Sequence, residues 1–227
     1  MAADSVIGNR YAANFDVVHV DTRRQMAVVA DGMGDGRGSE VAGRTAVDVF
    51  VASASTSPVG LRAAIAKVQR RVLTAGEELH ELTGCTLTAF VGDGDQAWIV
   101  QIGDSRAYRL RSGVLELLTV DHTIAWLGAV YGWFPFDSAE AQAARYRLMR
   151  FVGHPDAPEP DVLNVSLHPD DVYLLCTDGL AEQVPYIRVA EVLASAERPD
   201  AKAAVLVAES LQAGGNDNAT AVVIEVR

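Results

Sequence analysis

Four aspartates, Asp31, Asp104, Asp178 and Asp217, each stand where an apolar run meets a glycine-bearing turn. Three of them end runs of strand character, in Asp31-Gly32, Gly103-Asp104-Ser105 and Asp178-Gly179, while Asp217 comes just before one. A single Asp-Gly is ordinarily only a turn, because the carboxylate accepts local N–H groups and glycine supplies positive φ. Four at strand ends can converge on one rim of a sheet. Clustered carboxylates with no Lys or Arg among them would repel and take up protons, so divalent cations are the main means of holding such a group ionised at neutral pH. Oxygen-only donors select Mg2+ or Mn2+ over zinc.

Rival chemistries lack their residues. The DGMGDGRGSEVA stretch fails as a calcium loop, with Met33 and Ala42 at positions that need oxygen ligands. As a dinucleotide fingerprint it meets Arg37 or Ser39 where glycine is required. The histidines His19, His80, His122, His154 and His168 show no zinc-protease spacing. Cys85 and Cys176 sit in apolar runs, form no CxxC pair, and are followed six residues on by Val91 and Glu182 rather than arginine. Both read as buried core thiols, and a thiol phosphatase mechanism is disfavoured.

The elements that must carry these carboxylates follow from hydrophobic period. Residues 16–21 and 25–31 form an antiparallel hairpin, and helical spacing then recurs at Ala42, Ala46, Val49 and Phe50 and at Leu61, Ile65, Val68 and Val72. Four short strand-like pieces between Gly84 and Thr119 read as an antiparallel meander. Strand signals return at 162–167, 172–176 and 219–226, with helices near 139–149, 186–195 and 200–212. About nine short strands in antiparallel runs, with helices in pairs, point to an α+β fold rather than a doubly wound sheet. Five aromatics, Trp126, Tyr131, Trp133, Phe134 and Phe136, crowd residues 121–153. Local core packing is the favoured account of them, and a lid or partner surface the other.

Bulk properties narrow the partner. The chain has 227 residues, 49% hydrophobic and 22% charged, which suits one compact domain. Its net charge of −11 disfavours nucleic acid or an anionic membrane as the main partner, and no membrane span or secretion leader is legible, so a soluble cytoplasmic protein is expected. Arg106, Arg109 and Arg111 fall on both strand faces and read as solvated surface rather than one basic patch.

In order along the chain, VVADGMGDGRGSEVAG, GCTLTAF, VQIGDSRAYRLRSGVLELLTVDHT, LLCTDGL and GGNDNATAVVIEV resemble the metal-dependent protein serine/threonine phosphatases of type 2C in their bacterial form. The likeness covers nearly the whole chain, 1–227, as a single domain of that type. It implies an αββα sandwich, two antiparallel β-sheets flanked by helices, with a binuclear Mg2+ or Mn2+ centre between sheet edges. By that resemblance Asp31 would bridge both metals, the Gly32 carbonyl would join the second, Asp178 and Asp217 would complete the first, and Asp16 would hold metal-bound water. Asp104 with Asp178 matches a third, looser metal. The implied reaction is hydrolysis of phosphoserine or phosphothreonine in proteins by metal-activated water, opposing a serine/threonine kinase. The Arg150 segment matches a structural element of the family, and 121–153 matches its variable flap, where substrate choice is expected to be set.

The departures are local. The family places a phosphate-gripping Arg three residues before the Asn of an N-x-D sequence, but Asn14-Phe15-Asp16 has Tyr11 there and Arg10 one place earlier. On a strand one residue is a change of face. Either a bulge brings Arg10 to the phosphate, which is favoured, or metals alone bind it. Gly36 stands where relatives often carry His, and His122 reads as structural, which leaves the general acid open. A weak or inactive pseudophosphatase that binds a phosphoprotein or regulatory partner is the alternative. A metal-dependent nuclease or small-molecule phosphohydrolase is a further rival, which the acidic balance weighs against on the nucleic-acid side.

Overall fold

The strands are apolar along their whole length because both of their faces are covered. In β3 (Met26–Asp31), Ala27 and Val29 face an opposing sheet, while Met26, Val28 and Ala30 face helices. This is the period-two rule of a strand applied with two dry sides. The computed structural model describes residues 1–135 and 137–227.

One sheet takes β3 with β2 (Asp16–Asp21), β4 (Leu87–Asp93), β5 (Gln96–Ile102) and β8 (Asp161–Ser166), in the order β2-β3-β4-β5-β8. The other takes β1 (Ala2–Val6), β6 (Arg106–Arg111), β7 (Val114–Leu117), β9 (Val172–Cys176) and β10 (Ala219–Glu225), in the order β1-β10-β9-β6-β7. Every pairing is antiparallel. Helices α1 (Arg37–Ser53) and α2 (Pro58–Leu79) close the outer face of the first sheet, with Phe50, Leu61 and Ile65 fully buried. Beyond α3 (Ile124–Val130), α4 (Ala139–Ala144) and the short α5 (Asp178–Ala181), helices α6 (Tyr186–Ala194) and α7 (Pro199–Gln212) cover the second through Val189, Leu193 and Leu206. The layers are therefore helices, sheet, sheet, helices, the expected αββα sandwich. Cys85 and Cys176 are buried free thiols in the two helix-side cores, and burial raises the pKa of each.

Several expectations change. The four pieces between 84 and 119 are not one meander. β4 pairs with β5 and β6 with β7, but between β5 and β6 the chain leaves one sheet for the other at Gly103-Asp104-Ser105. The turn has the length of a hairpin, yet Gly103 at φ 111° redirects the backbone, and a side chain there would strike Thr86. Residues 2–6, which carry little strand signal, form β1 because β10 offers a free edge. Among the described residues ten strands result, against about nine expected. The helix expected over 139–149 stops at Ala144, and an unforeseen α3 precedes it, started by the Thr123 side chain accepting from the Trp126 N–H.

The aromatic stretch is not core either. Tyr131 and Trp133 stack at 5.8 Å and are 68% and 61% exposed. Phe134 is half-buried against Gly128, and Phe136 lies outside the described residues. The three arginines of β6 are paired rather than solvated, Arg106 with Asp121, Arg109 with Glu116 and Arg111 with Asp171, each at 2.6 Å. They do remain three separate contacts, as the face alternation required.

Candidate active site

Asp16 opens β2 and Asp31 closes β3, and the register sets the two directly opposite one another. Across the cleft, Asp178 starts α5 at the end of β9, and Asp217 precedes β10. Asp104 lies on the crossing between sheets. The strand ends thus bring five aspartates to one rim. Four of them, Asp31, Asp104, Asp178 and Asp217, line with Gly32 a cavity of about 190 Å³.

Small hydroxyls fix this rim. The Thr177 and Thr220 hydroxyls donate to Asp16 Oδ2 at 2.9 and 2.6 Å, which clasps β2 of one sheet to β9 and β10 of the other. Behind them, Asn14 donates to Ser5 at 2.8 Å, and the Ser5 and Thr220 hydroxyls are 2.6 Å apart. Thr86 accepts from the Asp31 N–H at 3.0 Å and meets the Ser105 hydroxyl at 2.7 Å, which ties Asp31 to the turn that carries Asp104. Gly179 allows the closest approach of backbones, since a Cβ there would lie 2.0 Å from the Asn218 carbonyl oxygen.

The electrostatics follow from this crowding. Burial, then Asp178, Asp16, Asp104 and Asp217, pushes Asp31 well above the usual carboxylate range. Burial, then Asp104, Asp217 and Glu182, does the same to Asp178. Burial carries Asp16 to about 7 against the pull of its two threonine donors. Burial, then Asp121, carries Asp104 to about 7. Asp217 is raised by burial, with the Asn218 N–H, Tyr11 and Arg10 opposing. Buried Oδ1 atoms of Asp16 and Asp178 have no hydrogen-bond partner. Lone pairs left this way in a dry acidic cleft call for a cation. Among the described residues no three His, Cys, Asp or Glu groups already close on one coordination point; the aspartates ring the cleft as one electrostatic unit. All are hard oxygen donors, which fits Mg2+ or Mn2+.

Larger hollows of about 570 and 600 Å³ lie away from this rim, beside Leu167 and Lys202. There Asp171 and Glu225 are already matched by Arg111 and Lys202. Donor chemistry marks the site, and size does not.

Residues 12–213 match the family model of protein phosphatase 2C. This chain belongs to the protein phosphatase 2C family. The match begins after Tyr11 and ends before Asp217, but longer alignments reach further. The serine/threonine phosphatase stp of Listeria monocytogenes is 31% identical over 88% of this chain and 84% of its own. The crystal structure of the Mycobacterium tuberculosis serine/threonine phosphatase PstP/Ppp superposes with a TM-score of 0.90 at 32% identity, covering 100% of this chain and 97% of that one. The PstP catalytic domain in complex with two manganese ions superposes at 0.86 and 31% identity, covering 99% and 96%. Type 2C membership makes the chain a metal-dependent protein serine/threonine phosphatase with phosphoprotein substrates, and Mg2+ or Mn2+ the cofactor class.

Two residues from the first loop sit differently from expectation in this type 2C site. Residues 7–15 are not a strand, so parity does not decide the placement of Arg10. Arg10 is exposed and lines a neighbouring cavity of about 150 Å³ with Glu182, Gln183 and Asn216. Tyr11 and Tyr146 line both cavities and stand between them. Sequence reading passed over Tyr146, Glu182, Thr177 and Thr220. For the threonines the signal was available as hydroxyl residues beside Asp178 and Asp217 on apolar strands. His122 proves structural: its Nδ1 accepts from the Gly103 N–H at 3.0 Å and its Nε2 meets Asp161 at 3.0 Å. Arg150 completes that group through Asp161 at 2.8 Å and the Glu159 carbonyl.

Proposed function

We propose that this chain, as one domain over 1–227, hydrolyses phosphoserine and phosphothreonine in proteins at a two-metal centre and so opposes a serine/threonine kinase in the cytoplasm. Among the described residues no helix is long and apolar enough to cross a membrane. The observation that carries the reading is the convergence of five aspartates from both sheets, two of them with unpartnered buried oxygens. Two divalent cations, when bound, supply an activated water and neutralise the charge of an in-line displacement.

Asp31 is the residue suited to hold both, because it stands within reach of Asp16 on one side and Asp178 on the other. Asp178 and Asp217 would hold the first, the Gly32 carbonyl would contribute to the second, and Asp104 with Asp178 would offer a looser third position. Asp16, fixed by two threonine hydroxyls, keeps one oxygen free to accept from water. Arg10, in the cavity next to the aspartate rim, takes the phosphorylated segment of the substrate.

The test is hydrolysis of a phosphothreonine peptide with Mn2+, against EDTA and against Asp178→Ala. Turnover that needs Mn2+ and is lost in the variant supports the reading. No turnover from a protein that calorimetry shows to bind Mn2+ would turn it into a phosphoprotein-binding pseudophosphatase.

A further inference from the structure

The group of His122, Asp161 and Arg150 bears on one of the five aspartates. Asp104 lies in the bend between β5 and β6, so the backbone on either side sets where its carboxylate points. Gly103, just before it, sits at φ 111°, outside the range that a strand or helix would hold in place.

Both polar groups of Gly103 are taken up by His122. The Gly103 N–H donates to His122 Nδ1 at 3.0 Å, and the Gly103 carbonyl accepts from the His122 N–H at 3.0 Å and from the Gln101 side chain at 3.0 Å. That carbonyl shares one peptide plane with the Asp104 N–H, so fixing it fixes the plane from which the Asp104 side chain departs. On the far side the Ser105 hydroxyl meets Thr86 and the Ser105 carbonyl accepts from Thr88, each at 2.7 Å. His122 is only 6% exposed, so its ring rather than bulk solvent has to serve as the Gly103 acceptor.

A neutral imidazole accepts at Nδ1 only as the tautomer protonated at Nε2. Asp161 selects that tautomer, because its Oδ2 stands 3.0 Å from Nε2 and accepts there. Arg150, 2.9 Å from Nε2, carries only donors and instead holds Asp161 Oδ1 at 2.8 Å. Burial, with the Arg150 charge adding to it against the pull of Asp161, lowers the ring pKa and keeps Nδ1 free to accept. We propose that His122 is a positioning residue for the phosphatase reaction, whose ring and backbone clamp Gly103 and so aim the Asp104 carboxylate into the metal cavity. Asp161 and Arg150 act one step behind, by keeping Nδ1 an acceptor.

The inference rests on reading Asp104 as a donor to the looser metal position, and one set of titrations separates the two. Mn2+ binding to the full chain is measured by calorimetry for the native protein, His122→Ala, His122→Asn, Asp161→Ala, Asp104→Asn and Arg111→Ala, with an EDTA melt of each to confirm folding. Asp104→Asn is expected to remove the weakest class of bound Mn2+ and to keep the tighter one. His122→Ala should weaken that same class about tenfold, the scale of one hydrogen bond, and leave the tighter class within about twofold of native. His122→Asn, whose side-chain oxygen can take the Gly103 N–H, should bring the weak class back to within about threefold of native. Asp161→Ala, at a side chain 53% exposed, should weaken it by a smaller factor than His122→Ala, and keeps the test open should His122→Ala not fold. Arg111→Ala destabilises the fold away from the rim and should leave both classes native. Native weak-class affinity in both His122→Ala and Asp161→Ala, with that class lost in Asp104→Asn, would overturn the proposal and leave the metal reading intact. Equal weakening of both classes in His122→Ala, or the same loss in Arg111→Ala, would also overturn it, by making the effect one of general stability. A weak class that survives Asp104→Asn would overturn the reading beneath it.

Discussion

Mn2+ binding should depend steeply on pH, and the slope follows from how the cleft treats its own charges. Asp16 and Asp104 titrate at about 7 where an ordinary aspartate does so near 3.8. A group of pKa 7 is about nine-tenths protonated at pH 6 and one-tenth at pH 8. A cation that ionises both groups releases close to two protons at pH 6 and about 0.2 at pH 8. Integrated, that weakens affinity about 100-fold between pH 8 and pH 6. Asp31 and Asp178 are also pushed well above the usual carboxylate range, by burial and by their acidic neighbours, so protons they release add to the effect. The assay is calorimetric titration with Mn2+ in two buffers of different ionisation enthalpy, which counts the protons directly. For the same groups the raised folded pKa means that the folded chain holds protons the unfolded chain has shed between about pH 4 and 7. Their contribution to stability is complete below the unfolded pKa and is lost as pH rises through 7. In EDTA the melting temperature should therefore fall from pH 5 to pH 8, and Mn2+ should reverse the fall. Affinity that changes less than threefold between pH 6 and pH 8, with fewer than 0.3 protons released at pH 6, would refute the argument that burial, with the neighbouring acids, keeps these carboxylates protonated.

Thr220→Val removes the 2.6 Å donor to Asp16 without changing side-chain shape, and should cost about 1–3 kcal/mol in denaturant unfolding at pH 8; a change under about 0.5 kcal/mol would show that the clasp is energetically silent. Arg111→Ala removes the cation beside Asp171, whose side chain is 1% exposed and keeps only the His168 N–H and Tyr173 hydroxyl, and should cost about 2–3 kcal/mol, short of a fully buried pair because the Arg111 side chain is 24% exposed. The same variant should leave Mn2+ affinity unchanged, since Arg111 pairs away from the metal rim. His122→Ala should lower the melting temperature by removing the acceptor of the Gly103 N–H, yet leave the acid limb of kcat against pH in place; a lost limb in that profile would make His122 an acid–base group after all.

Much of the fold was legible because its strands obey simple rules. MAVVA and VYLLC, apolar on every residue, read as strands, and antiparallel runs with paired helices point to an α+β fold; the αββα layering was legible only through the resemblance to the type 2C phosphatases. The sheet boundary within 84–119 was not legible, because a three-residue turn reads alike whether it folds back or crosses over. Gly103 makes the difference, and only its contact with Thr86 reveals it. β1 was missed because AADSV has too few apolar residues for a strand; it is ordered by the backbone edge of β10 rather than by its own side chains. The exposed pair Tyr131 and Trp133 was misread as core, since composition cannot tell a covered aromatic from a stacked surface one. At the site, the acidic residues were visible through their glycine turns. Arg10 and Tyr11 were singled out through the resemblance, but their placement was not legible, because the strand-parity argument was applied to a segment that is a loop.

The pairing of β1 with β10 bears on how the protein is made. Ser5 and Thr220, joined at 2.6 Å, are 215 residues apart, and Thr220 is also one of the two donors to Asp16. A ribosome releases β1, Asp16 and Asp31 long before β10 emerges, so β1 must wait unpaired for the strand that joins it to its own sheet. Contacts this distant in sequence form late and slowly. The catalytic rim is therefore complete only once β10 has emerged, and a nascent chain without it carries the early aspartates without the means to use them.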